Sequence, residues 1–75
     1  MSNIAEEGRS KRIREIEQEL AQHRKIIETS QQALDEMRDK PDMLADAGVR
    51  EGARIKNAQE AIKRLEDERR SLQQA

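Results

Sequence analysis

A lone proline, Pro41, stands between two stretches in which apolar residues recur in alternating steps of three and four. Upstream the steps run Ile13, Ile16, Leu20, His23, Ile27, Ser30, Leu34 and Met37, with a large apolar side chain at six of the eight positions. Downstream they run Ile55, Ala58, Ile62, Leu65, Arg69 and Leu72, apolar at five of six. Most residues between these positions are Glu, Gln, Arg and Lys, which lose little rotamer freedom in a helix. A spacing of this kind gathers each set on one side of an α-helix, so each stretch reads as an amphipathic helix with coiled-coil periodicity.

The proline decides how the two helices relate. Its ring disfavours helical geometry at Lys40, and it has no N–H to donate, so the first helix should end near Asp39. Asp42 can cap a short turn through Met43 and Leu44, while Gly48 and Gly52 weaken the start of whatever follows. The sequence therefore predicts a frayed or partly helical N-terminus over 1–9, a first helix over 10–39, a turn over 40–47 and a second helix over 48–75, all in one domain. Asn3 and Glu6 have capping-box spacing, although Gly8 weakens that first turn. A short connection favours antiparallel neighbours, and folding about residues 42–44 pairs positions whose numbers add to about 85. Leu20 would then face Leu65, Ile27 would face Ala58, His23 would face Ile62, and Ile13 would face Leu72. The expected fold is all-α, an antiparallel two-helix hairpin.

Such a hairpin is short of core. Only 33% of the 75 residues are hydrophobic, and there is no Phe, Tyr or Trp. Chains this small usually gain stability from disulfides, a structural metal or self-association. Without a cysteine the first is excluded and a zinc cage is disfavoured. Ile26 widens the first apolar stripe, Ala33 continues it, and Ala61 lies off the second. This surplus predicts a second copy and a homodimeric four-helix bundle. Its seam would comprise Ile13, Ile16, Leu20, His23, Ile26, Ile27 and Leu34 from the first helix, with Ile55, Ile62, Leu65 and Leu72 from the second.

Fifteen basic and sixteen acidic side chains leave a formal charge of −1, which gives little drive toward phosphate. Arg9, Lys11, Arg12 and Arg14 form the densest basic cluster and would lie at the same end of the hairpin as Arg69 and Arg70. Glutamates are interleaved with them and no aromatic is present to stack on bases, so a solvated helix face is expected there. No apolar run exceeds three residues, Met43-Leu44-Ala45, which gives neither a membrane span nor a signal-peptide core. Lack of cysteine agrees with a reducing compartment, and the expected location is cytoplasmic.

Chemistry has few residues to work with. His23 is the single histidine, and no Cys or second His exists to join it on a metal; on the seam it reads as a polar residue that sets pairing register. Ser30 lets helices approach closely, and Arg69 can lay its aliphatic stem along the seam. Neither HExxH nor GxSxG spacing occurs, and a hairpin offers no enclosed pocket for a carboxylate pair. No enzyme activity, metal or cofactor is expected. Leu44 to Arg50 has the small residues of a helix-turn-helix turn, but Pro41 cuts the preceding helix short and the Ala-to-Gly spacing is three. Met43, Leu44 and Val49, with Gly48 and Gly52, make an apolar tip of small residues suited to contact with another protein. The chain thus reads as a small protein-binding regulator or inhibitor, bacterial or phage in type, that occludes a larger protein through a helix or its loop. A structural adaptor within a helical assembly and an RNA- or DNA-contacting bundle are the alternatives.

Overall fold

The computed structural model describes residues 4–74. They form two helices, α1 (Ile4–Glu36) and α2 (Pro41–Gln74), folded back on each other into a rod of 63 × 14 × 13 Å. The two-helix hairpin expected from the heptads is the architecture, and no strand occurs among the described residues. No helix among them is long and apolar enough to cross a membrane.

The element boundaries differ from those expected, for reasons that are local. α1 reaches back to Ile4, so residues 4–9 are the helical part of the N-terminus expected as frayed or partly helical. Glu6 and Glu7 lie in its first turn, where negative charge meets the positive end of the helix dipole. Asn3, the expected capping partner of Glu6, lies outside the described residues. At the other end α1 stops at Glu36, short of Asp39. The chain then unwinds through tight turns: the N–H of Met37 donates to Leu34 at 3.2 Å, that of Arg38 to Asp35 at 3.2 Å, and that of Lys40 to Met37 at 2.9 Å. Arg38 also reaches the Asp35 carboxylate at 3.1 Å.

The larger correction concerns residues 40–47, expected as a turn. Only Lys40 is outside both turn and helix, and α2 begins at Pro41 rather than at 48. At the first helical position a proline gives up no hydrogen bond, because that N–H has no partner in any helix, and its fixed φ is already helical. The Lys40 carbonyl accepts the first bond of the helix from the Leu44 N–H at 2.9 Å. Asp42 in the first turn is again favoured by the dipole. Gly48 and Gly52 sit inside α2 at a cost of roughly 0.5–1 kcal/mol each relative to alanine, too little to end a helix whose inner face is packed.

That inner face continues the heptad. Stepped backward from Ile55, the second register passes through Glu51, Gly48 and Leu44. Glu51 is only 8% exposed and its neighbour on the inner face, Ala47, is buried. The seam thus runs from Ile13 to Leu34 on α1 and from Leu44 to Leu72 on α2. It is filled most completely by Ile16 and Leu20, each 0% exposed, and burial of such a side chain is worth about 1.5–3 kcal/mol. Ser30 and Ala58 are buried farther along. Ion pairs cross between the helices from Arg12 to Glu68 and from Arg24 to Glu66. Their residue numbers add to 80 and 90, on either side of the sum expected from the sequence.

Candidate interaction surface

Where the seam narrows to small residues, one side of the hairpin opens into a groove of about 710 Å³. Ser30 of α1 and Ala58 of α2 are buried and form its floor. Neither side chain is large enough to fill the space between two helices, so the volume stays open. Gln22, Ile26 and Thr29 rise along the α1 wall, with Arg54 and Asn57 along the α2 wall. Ile26 is 42% exposed, and its flank is the uncharged row Gln22, Ile26, Thr29 and Ala33. His23 and Lys25 complete the lining; His23 is partly buried.

The other side of the seam has a different character. At 100° per residue, Glu17, Arg24, Gln31 and Asp35 fall on the opposite flank of α1, and all four are exposed. There Arg24 reaches Glu66 at 3.5 Å, with both side chains substantially in solvent. Around the groove, α1 therefore carries an uncharged row on its front flank and a more charged one on its back.

The tip residues do not gather into one patch. Met43 is 54% exposed and Val49 is 79% exposed, but six residues of helix set them about 120° apart around the axis. Leu44 is partly buried on the backward extension of the seam, as is Gly48, while Gly52 faces outward. A methyl group added at Gly48 or Gly52 would meet no neighbouring atom within 4 Å, so neither glycine is there to admit a close approach within this chain. Of the remaining seam residues named from the sequence, Ile13, Ile27, Leu34, Ile55, Ile62, Leu65 and Leu72 are all partly buried.

Arg12 and Arg70 of the basic cluster are occupied by neighbouring acids. Arg12 donates from Nε to Glu68 Oε2 at 2.7 Å and from Nη2 to Oε1 at 2.9 Å, a two-pronged pairing. Its Nη1 lies 3.4 Å from Glu15 and 3.6 Å from Glu19 Oε2. The last is a charge contact too long for a hydrogen bond, and Glu19 Oε2 is buried without a donor. The Arg12 hydrogen bond holds the Glu68 carboxyl below its usual 4.5, and the Arg12 guanidinium is pushed still higher in return. Arg70 pairs with Asp67 at 3.2 Å. Lys11 and Arg14 are exposed, and Arg9 and Arg69 are partly buried.

Sequence reasoning named His23, Ile26, Ser30 and Ala58 but missed Gln22, Lys25, Thr29, Arg54 and Asn57. The expected second helix already covered this stretch, and the uncharged row on α1 would have marked the side. Comparison with protein-family models, with curated proteins and with solved structures finds no match for this chain.

Proposed function

We propose that this chain is a small, non-enzymatic protein-binding hairpin that pairs with a second copy as a four-helix bundle and acts as a regulator or inhibitor by occluding a larger protein. One observation supports the self-association. The chain exposes 5943 Å², whereas a compact single chain of this mass exposes about 4,700 Å². The excess is roughly 1,200 Å², more than the 800 Å² or so that each partner contributes to a standard protein interface. A two-helix rod has surface to give away, and association is the ordinary way to cover it. The exposed Met43 and Val49 remain at the bend end, available to a partner of another kind.

Sedimentation equilibrium tests the first part: a dimer is expected, and a monomer at all accessible concentrations would remove it. Affinity capture tests the second. The wild-type chain should retain a larger protein from its source cells in fixed proportion, and Met43→Asp with Val49→Asp should abolish that capture without loss of helicity. Leu44 is unsuitable for this test because it belongs to the seam, so a charge there would act through folding. Capture that survives both substitutions would remove the bend end as the contact.

A further inference from the structure

We infer that the front groove is where a second copy of this chain seats, with Ile26 of each copy entering the space above Ser30 and Ala58 of the other. The inference rests on the proposed self-association and assigns it a face. Three observations point to a second copy rather than a foreign chain. An isologous two-fold interface needs the projection and the recess on the same surface, so that each copy supplies what the other lacks. Ile26 stands at the rim of the very groove whose floor is made by two small buried residues. The surface to be covered, about 1,200 Å² beyond that of a compact chain, is on the scale one partner buries in a stable pair.

On α1, charge favours this face over the back. Among the groove's lining residues only Lys25 and Arg54 are charged, and Arg54 already has Glu51 at 3.2 Å. The remaining lining residues can be covered with little loss of charge hydration. Covering the back instead would take Arg24, Glu66, Glu17 and Asp35 out of water, with desolvation that surface ion pairs do not repay.

The test compares one substitution on each face by sedimentation equilibrium, with helicity followed by circular dichroism. Ile26→Asp should weaken the dimer by about 100-fold or more, because a carboxylate would be buried at the centre of the contact. Gln31→Asp, one charge added on the back, should leave the dimer unchanged. If the wild-type chain is itself monomeric, both the self-association and its face fail. If it is dimeric and Ile26→Asp is equally so, the face alone is wrong and the dimer stands. Should Ile26→Asp lose its helices, single cysteines decide, since the chain has none of its own. Thr29→Cys should link between copies through a short thiol crosslinker while Gln31→Cys should not, and the reverse pattern would overturn the assignment.

Discussion

The half of the hairpin toward the chain ends and the half toward the bend share one heptad frame but fill it differently. Toward the ends the seam is aliphatic: Ile13, Ile16 and Leu20 on α1, with Ile62, Leu65 and Leu72 on α2, and two of them are completely excluded from solvent. Toward the bend the fully buried positions are the small or polar Ser30, Ala47 and Glu51, while the aliphatic Ile27, Leu34, Leu44 and Ile55 are only partly buried. Apolar area is what stabilises a helix pair, so the end half carries most of the folding free energy. The bend half is held by aliphatic side chains that are only partly buried, by covalent proximity and by short-range hydrogen bonding. A heptad pattern, then, fixes which face of a helix turns inward without fixing how strongly that face holds.

Substitutions can strain this contrast. The largest effect is expected from Leu20→Ala, which empties a fully buried site and should cost about 2–5 kcal/mol, read as a lowered midpoint in urea denaturation. A loss below about 1 kcal/mol would mean that the end half is not the anchor. Second comes Glu51→Leu. A carboxylate only 8% exposed is replaced by a side chain the seam prefers, and its partner Arg54 stays hydrated. A gain of about 1–2 kcal/mol should follow; destabilisation instead would show that the pair with Arg54 organises the bend half.

Third, Gly48→Ala and Gly52→Ala should each stabilise by about 0.5–1 kcal/mol, since the added methyl meets nothing within the chain. Amide exchange in residues 41–55 should slow in these variants while exchange around Leu20 changes little. Equal slowing in both halves would erase the distinction between them. The smallest effect belongs to the exposed pair of Arg12 and Glu68. Because the Glu68 carboxyl titrates below its usual 4.5 in the folded chain, its stabilisation is present above that value and is lost as pH falls through the lower folded value. Glu68→Gln should therefore lie slightly below wild type in thermal stability at neutral pH and converge with it in acid. Curves that stay parallel across the range would assign the pair no role in folding.

Much of this was legible in the residues, and the exceptions are instructive. Alternating steps of three and four fixed two helices, and a lone proline between them fixed the hairpin. The same proline misled about the second helix, since Pro41 read as a barrier when at the first helical position it serves as a beginning. Gly48 and Gly52 compounded the error by suggesting a flexible turn. Glu51 hid the continuing register, because a charged residue at a seam position looks like a break; burial of its stem beside Ala47, with the carboxylate paired to Arg54, is what reconciles it. The groove was not legible from either helix alone. It arises where Ser30 and Ala58 come together, and only the fold makes them neighbours.

The brevity of the link between Glu36 and Pro41 reaches beyond topology. Sliding one helix past the other by a single heptad would demand about 10 Å of spare chain, and three backbone hydrogen bonds leave residues 37–40 none to release. Alignment of the two helices is therefore enforced by the backbone. Polar side chains along the contact (His23, Ser30, Glu51, Arg69) are freed from policing slippage, a duty they would carry if the helices were separate molecules. They are available instead to shape what the joined pair presents to its surroundings.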